Sequence, residues 1–263
     1  MAPVTSRGVV LRTYTIGETS KVVVCYTRDY GKVRLVAKGA RKGGSRFGAA
    51  LEPMMVSGVV FYLKEGRDLH LLSSADIEHE EAPLRRDAVR MAYGSVLVEL
   101  VDRLVPELEP VPGLEGALEA GLSAAASAPE GDLDALIWRF TMALARRLGY
   151  EPQTGRCVVC GREPGDAPGF SPLLGGAVCG TCLGGRRAEG AARGNVAEIM
   201  LRLSRGEPVR SEGLAAPLRD EVTEVLLSFL ESHTDRRLKL RSLGFLAQLR
   251  RMDHKSKGTK GQP

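Results

Sequence analysis

The spacing of four cysteines constrains this chain more than any other feature of its sequence. Cys157 and Cys160 form one Cys-x-x-Cys pair, and Cys179 and Cys182 form a second pair after eighteen intervening residues. Two residues between cysteines allow a tight turn to direct both sulfurs at one ion, and two such turns complete a tetrahedral site. The alternatives are two disulfides, or a redox-active Cys-x-x-Cys that occurs twice. We favour zinc, because no secretory signal is visible and a reducing compartment disfavours persistent disulfides.

A site with four thiolates leaves no position on the metal for water, so the sequence predicts one structural zinc ion and no zinc hydrolase or deaminase. The segment between the pairs is rich in glycine and proline, so it cannot bury much of a core by itself. The metal is expected to hold it together. Gly161 and Gly180 are expected to supply the permissive backbone of the two turns. Cys25 is expected to be a small buried hydrophobic residue.

The net charge of +5 is distributed unevenly along the chain. Residues 1–46 carry ten Lys and Arg against two acidic residues, residues 236–263 carry nine against one, and the stretch between them has a net charge of −11. This uneven distribution of charge predicts a basic surface that binds a polyanion. The alternative is that the charged runs are ordinary solvated faces. No apolar run reaches the roughly 18 residues that a membrane span needs.

The first part of the chain alternates short apolar runs with turn signals, which is typical of a small all-β unit. Five strands are predicted, at Val9–Tyr14, Lys21–Thr27, Lys32–Ala37, Met54–Leu63 and Asp68–Ile77. Five strands of this length fit an oligonucleotide-binding (OB) barrel, and an SH3-like barrel fits the strand count almost as well. Tyr14 and Tyr30 are the aromatic residues close to the basic segment at residues 32–46 that could stack on a nucleobase. For Tyr14, packing in the strand core is the favoured role.

A basic loop lies between the third and fourth predicted strands. Residues 32–46 contain six basic residues and no acid, and these are the candidate nucleic-acid-binding residues: Lys32, Arg34, Lys38, Arg41, Lys42 and Arg46. The glycines of this loop allow backbone amides to approach a phosphate, and are expected to keep the loop mobile. The loop lacks the Gly-x-x-x-x-Gly-Lys-Ser/Thr motif of nucleotide hydrolases.

The apolar period becomes helical after Pro83. Helices are predicted at about Val89–Leu104, Leu114–Ala126, Leu133–Leu148, Asn195–Arg205, Pro217–Ser232 and Asp235–Met252. Asp132 is expected to cap the third helix, and Trp138 to lie in the core or at a helix–helix contact. The predicted fold class is α+β, with a five-stranded barrel followed by an all-helical domain and an embedded four-cysteine zinc lobe.

The predicted domain boundaries follow these changes of pattern. The barrel takes residues 1–80, the helical domain residues 84–156 and 183–252, the zinc lobe residues 157–182, and a basic disordered tail residues 253–263. No Gly-x-Ser-x-Gly elbow or His-Glu-x-x-His motif is present, and the four histidines are dispersed. The chain is therefore expected not to be an enzyme.

The order of these parts resembles the RecO family of recombination mediators in bacterial DNA repair. The resemblance spans nearly the whole chain and rests on the order and spacing of several short segments, none of them decisive by itself. They are Gly8–Leu11 with Tyr14 and Glu18, Thr27–Gly31, Val36–Arg41, Tyr93, Glu99–Leu100, Phe140–Gly149, Gly175–Gly176, Leu240 and Ser242.

The resemblance implies an N-terminal OB barrel that binds single- and double-stranded DNA. It also implies annealing of complementary strands and, with RecR as protein partner, loading of RecA onto DNA coated with single-strand-binding protein. No nucleotide is hydrolysed, and the expected location is the cytoplasm, at the nucleoid. The phosphate contacts are expected from five residues of the basic loop: Arg34, Lys38, Arg41, Lys42 and Arg46.

Two other functions stay open at this point. A small barrel with a zinc ribbon also suits an RNA-binding or ribosome-associated factor, since RNA is recognised through its 2′-hydroxyls as well as its phosphates. Alternatively, the chain is an assembly scaffold whose basic surface contacts an acidic protein tail.

Overall fold

The computed structural model describes residues 2–43 and 45–258. They form two compact units: the first takes the chain up to Ser127 and again from Lys239, and the second is Ala128–Leu238. None of the helices in this described part is both long and apolar enough to cross a membrane. The domain boundaries drawn from the sequence pattern stay predictions.

The first unit contains the predicted barrel. Within the described residues its strands are β1 (Val4–Ile16), β2 (Ser20–Thr27), β3 (Gly31–Ala37), β4 (Val56–Tyr62) and β5 (His70–His79). They close in the order β1-β2-β3-β5-β4, with β1 paired to both β2 and β4 and with β3 parallel to β5. This is the order of the OB fold, so the OB prediction is confirmed over the SH3-like alternative.

A bulge in β1 decides which of its side chains face outward. Val10 is paired with Cys25, and both lie in the barrel core. The register shifts between Val10 and Arg12, and one extra residue reverses the alternation of faces beyond it. Tyr14 therefore points out of the barrel, with 36% of its surface exposed. The expectation that Tyr14 packs in the strand core is wrong.

The barrel interior is filled mainly by aliphatic side chains from all five strands. Cys25 lies among them with none of its surface exposed, which confirms that it is a small buried hydrophobic residue. Burial in this apolar surrounding, together with the charge of Glu115, raises the pKa of the Cys25 thiol to about 12.

Helices make up most of the remaining regular structure. They are α1 (Ala82–Arg86), α2 (Ala88–Leu104), α3 (Leu114–Ser127), α4 (Leu133–Arg147), α5 (Gly194–Ser204), α6 (Ala216–Thr234) and α7 (Arg241–Gly258). The first three and α7 belong to the first unit, and α4, α5 and α6 to the second. All six predicted helices are present, and the short α1 is an addition.

The last helix begins and ends later than predicted. Asp235 does not open it, because its left-handed backbone (φ +51°) terminates α6. α7 starts at Arg241 and continues to Gly258, so helix replaces the predicted disorder at residues 253–258. The rest of the predicted tail, residues 259–263, lies outside the described residues.

A carboxylate from α2 fixes the start of α7. Glu99 accepts hydrogen bonds from the backbone N–H groups of Arg241 and Ser242, at 3.1 and 2.9 Å, and from the Ser242 hydroxyl at 2.7 Å. Burial alone would raise the pKa of Glu99, but these donors outweigh burial and lower it. The negative charge is thereby held at a helix N-terminus, where the helix dipole favours it.

In the second unit, the N-terminus of α4 is capped by a residue distant in the sequence. Asp132 occupies the N-cap position but makes no capping hydrogen bond, and instead accepts from the N–H groups of Ser211 and Glu212. The Ser211 hydroxyl accepts from the Ala135 N–H at 3.0 Å. The expected cap at Asp132 is therefore wrong.

The tryptophan prediction is confirmed. Trp138 of α4 is fully buried. Its Nε1–H donates to the Thr223 hydroxyl of α6 at 2.9 Å, which places the side chain at a helix–helix contact.

Gly31, at the start of β3, provides a test of the barrel. Its φ is +64°, and an added Cβ would lie 2.4 Å from the carbonyl oxygen of Glu109. We expect Gly31→Ala to lower the free energy of unfolding by about 3 kcal/mol, since a clash with backbone adds to the left-handed strain. Thermal and urea unfolding followed by circular dichroism measure this change.

Gly17 is the matched control, because it has a φ of +58° but nothing within 4 Å of an added Cβ. Gly17→Ala is expected to cost only the backbone strain, about 1 kcal/mol. Equal destabilisation by the two substitutions would contradict the close approach at Gly31.

Candidate metal centre and nucleic-acid interface

The four paired cysteines lie in a lobe of the second unit that contains a small hairpin. Its strands are β6 (Gly169–Ser171) and β7 (Gly176–Val178), paired antiparallel between the two Cys-x-x-Cys turns. This hairpin is not among the elements predicted from the sequence, because three-residue strands surrounded by glycine and proline give no measurable alternation.

Each cysteine pair is presented by a tight hydrogen-bonded turn. In the first turn, the Gly161 N–H donates to the Cys157 carbonyl at 2.8 Å, and Gly161 has the positive φ (+74°) that this turn requires. In the second, the N–H groups of Cys182 and Leu183 donate to the Cys179 carbonyl at 3.0 and 3.1 Å. Gly180 does not have a positive φ. The prediction that a glycine supplies the permissive backbone of the turn is therefore confirmed for Gly161 and not for Gly180.

The four sulfurs are arranged as a metal ion would need them. All lie within 4.8 Å of one another, and the Sγ atoms of Cys160 and Cys179 are 3.8 Å apart. In a tetrahedral site with metal–sulfur bonds of roughly 2.3 Å, neighbouring sulfurs are about 3.8 Å apart. A disulfide would require about 2.05 Å, and all five cysteines are free. The cluster thus fits a metal ion and does not fit two disulfides.

The surroundings of the cluster favour a cation at its centre. Burial would raise the pKa of Cys157, but backbone donors, first the Cys179 N–H at 3.3 Å, outweigh it and lower the pKa to about 6. The pKa of Cys182 is raised to about 12, chiefly by its hydrogen bond with Cys179 and by burial. Metal ligation requires deprotonated thiols, so metal binding at this cluster would release protons and weaken as pH falls.

The lobe has little core of its own. Its buried cluster consists of Cys157, Val178, Cys179 and Ala188, with a few half-buried side chains around them. Two members of that cluster are metal-ligand candidates, so losing the metal would remove the centre of the cluster as well as its cross-links.

One of the six candidate nucleic-acid-binding residues lies inside the first unit. Lys32 is 7% exposed, and its ammonium group donates to the backbone carbonyl of Asp102 on α2 at 2.6 Å. A phosphate on the surface cannot reach this group, so Lys32 is not available to contact nucleic acid.

The other five residues lie at or near the surface of the barrel. Lys38, Arg41, Lys42 and Arg46 are exposed, while Arg34 is half-buried and donates to the Tyr14 hydroxyl at 3.1 Å. Within the part of the chain that the structure describes, Lys38 and Lys42 have no ion-pair partner. Their charges are therefore not neutralised by the protein itself.

The basic loop is attached to the turn between β1 and β2. The backbone N–H of Arg41 donates to the carbonyl of Thr19 at 2.9 Å, and its guanidinium donates to the carbonyl of Glu18, also at 2.9 Å. Two tight turns follow one another over residues 37–42, where the N–H groups of Ala40 and Lys42 donate to the carbonyls of Ala37 and Gly39. The bonds from Arg41 attach the loop to the β1–β2 turn, and the mobility expected from its glycines stays a prediction.

A groove runs between the loop and this turn. Its volume is about 520 Å³. Its lining residues are Ile16, Gly17, Thr19, Ser20, Val36, Lys38, Gly39 and Lys42. The floor is partly apolar and two lysines stand on the rim, so the groove suits a ligand that combines an apolar face with negative charge.

The comparisons with known proteins cover nearly the whole chain. Residues 1–80 match the family model described as recombination protein O N terminal, and residues 85–242 match the model described as recombination protein O C terminal. The division between the two models falls at the end of the barrel.

Curated relatives agree with this result. A protein named DNA repair protein RecO from Symbiobacterium thermophilum is 36% identical over 250 residues, which is 92% of this chain and 96% of that protein. A protein of the same name from Anaeromyxobacter dehalogenans is 37% identical over 238 residues, covering 89% and 92%. Another, from Cutibacterium acnes, is 40% identical over 185 residues, covering 67% and 72%.

A thiol count tests the metal centre. We expect a strong chelator to expose four reactive thiols per chain, because the metal is the group that masks the cluster. Cys25 should stay unreactive until a denaturant opens the barrel, since it is fully buried and its thiol has a raised pKa. Absorbance of a thiol-reactive aromatic disulfide reagent measures both steps. Four thiols that react at once without chelator would contradict a metal-filled site.

Proposed function

The chain belongs to the recombination protein O family, which acts in DNA repair and recombination, and we propose that it is a non-enzymatic mediator of recombination. Its proposed activities are binding of single- and double-stranded DNA and annealing of complementary strands. With RecR it would help to load RecA onto DNA coated with single-strand-binding protein, in the cytoplasm at the nucleoid. No catalytic residues are assigned.

The observation that carries this proposal is the rim of unpaired cations at one end of the OB barrel. Lys38 and Lys42 are exposed without ion-pair partners in the described chain, and Arg41 and Arg46 are exposed beside them. Lysine and arginine contacts to phosphates bind any sequence, because phosphates carry no base information. A mediator has to bind DNA in this way, since the damaged site has no fixed sequence.

We propose that the metal is one structural zinc ion held by Cys157, Cys160, Cys179 and Cys182. Four thiolates are typical of closed zinc sites. Such an ion supplies cross-links and no bound water, so the role of these residues is to hold the lobe. This assignment is supported by sulfur spacing that matches zinc–thiolate geometry.

The salt dependence of DNA binding tests the proposed interface. If five charges contact the phosphates of single-stranded DNA, log K should fall with log salt at a slope of about −3.5. The double substitution Arg41→Glu with Lys42→Glu removes two contacts, so the slope should fall in magnitude to about −2.1, with equal weakening for all sequences. Fluorescence anisotropy across a salt series gives these values.

The matched control is Arg186→Glu with Arg187→Glu, which changes the net charge equally at two adjacent exposed arginines of the second unit. This variant should keep the original slope. An unaltered slope in the Arg41 and Lys42 variant would instead place the DNA surface elsewhere.

Annealing and nucleic-acid preference test the proposed activity itself. The unaltered chain should speed the pairing of complementary DNA strands without nucleotide, and the Arg41 and Lys42 variant should do so less well. A marked preference for RNA over DNA of the same sequence would overturn the repair proposal in favour of an RNA-binding factor. Failure to bind any oligonucleotide at low salt would favour an assembly scaffold.

The zinc proposal has its own test. Metal analysis should give one zinc per chain, and Cys160→Ser should lower the midpoint of thermal unfolding. DNA affinity per folded molecule should stay within about twofold, since the cluster supplies no proposed DNA contact. Cys25→Ala is the control for loss of a thiol outside the cluster, because it adds no polar group to the apolar core around Cys25. A Cys160 variant that folds normally and cannot bind DNA would contradict a purely structural zinc.

A further inference from the structure

A row of side chains crosses the outer face of the barrel beside the basic groove. Tyr14 of β1 pairs with Val22 of β2, which pairs with Val36 of β3. Cross-strand partners share one face of a sheet, so these three residues form a row about 10 Å long. Val22 itself is buried, so Tyr14 and the half-buried Val36 are the members of the row that a ligand can reach. Val36 belongs to the floor of the groove, together with Ile16, which is 44% exposed.

Tyr14 is held in place by two arginines. The Arg34 guanidinium donates to the Tyr14 hydroxyl at 3.1 Å, and the Arg12 guanidinium lies over one face of the ring, 5.4 Å from its centre, so a ligand can stack only on the opposite face. Arg12 is itself fixed by Asp102 at 2.6 Å. An exposed aromatic ring with a fixed orientation costs little conformational entropy when a flat ligand packs on it.

We infer that Tyr14 and the apolar floor at Ile16 and Val36 receive unpaired nucleobases, while Lys38 and Lys42 on the rim contact the phosphates of the same strand. This inference rests on the proposed function and adds selectivity to it. Charge complementarity identifies the occupant as a nucleic-acid strand, because the lysines need anionic partners and the floor between them is apolar. Tyr30 is the other candidate for stacking, but its ring packs edge-on against Phe61 of the barrel core and is therefore less available to a base.

The arrangement distinguishes single strands from duplexes. In a duplex the faces of the bases are stacked on one another, so a duplex can reach the rim lysines but not the apolar row. Unpaired bases can stack on an aromatic side chain whatever their identity. A strand therefore loses the contacts to the row when it pairs, which favours release of the annealed product.

An abasic oligonucleotide provides the test, because it keeps the phosphates and lacks the bases. The unaltered chain should bind a thymidine oligonucleotide about tenfold more tightly than an abasic one of equal length. Tyr14→Ala should remove most of this difference and leave duplex affinity unchanged, whereas Tyr14→Phe should retain it. Phe245→Ala, which removes another exposed aromatic ring from the first unit, should behave like the unaltered chain.

Several outcomes would overturn the inference. An undiminished preference for the base-containing oligonucleotide in Tyr14→Ala would exclude stacking at this residue. If that variant does not fold, 2-aminopurine placed in the strand provides a second readout, because its fluorescence should fall when the unaltered chain stacks on it. Unchanged fluorescence in the saturated complex would also exclude stacking. Absence of any DNA binding would instead overturn the proposed function.

Discussion

The pairing of β1 with both β2 and β4 is the interaction on which the described surface depends. It closes the barrel, while the antiparallel pairing of β2 with both β1 and β3 places the β1–β2 turn and the loop after β3 at the same end. The bulge between Val10 and Arg12 then divides β1 into two parts. Before it, Val10 packs in the core; beyond it, Arg12 and Tyr14 face outward. A single extra residue thus allows one strand to contribute Val10 to the interior and Tyr14 to the outer face.

The second unit contains a lobe that cannot be stabilised by an apolar core as the barrel is. The segment around Cys157–Cys182 has too few large apolar residues to fold by burial, whereas the barrel has a full aliphatic core. A metal ion bound by the four sulfurs, which lie at metal-binding distances, would replace that missing core with cross-links. Because these links are local, the lobe can be stabilised without adding anything to the chemistry of the barrel surface.

Much of the fold follows from periodicity and spacing, and the errors have specific physical causes. The strands, the main helices and the cysteine cluster were predictable, since alternation, helical repeats and Cys-x-x-Cys turns are local patterns. The outward position of Tyr14 was not, because a bulge leaves no mark in the alternation. The burial of Lys32 against Asp102, and the caps supplied by Ser211 and Glu99, depend on residues distant in sequence. Charge alone cannot distinguish Lys32 from Lys38.

The hydrogen bonds between the basic loop and the β1–β2 turn affect how DNA would bind and dissociate. Arg41 uses its backbone N–H and one guanidinium nitrogen to hold the loop, so Lys38 and Lys42 are placed before any DNA arrives. A preplaced charge loses less entropy on binding than a mobile one. However, phosphate contacts weaken steeply with salt, so they do not hold a strand permanently. Fast capture followed by release on pairing is the behaviour that the proposed annealing activity would require, and such a cycle would need no nucleotide hydrolysis.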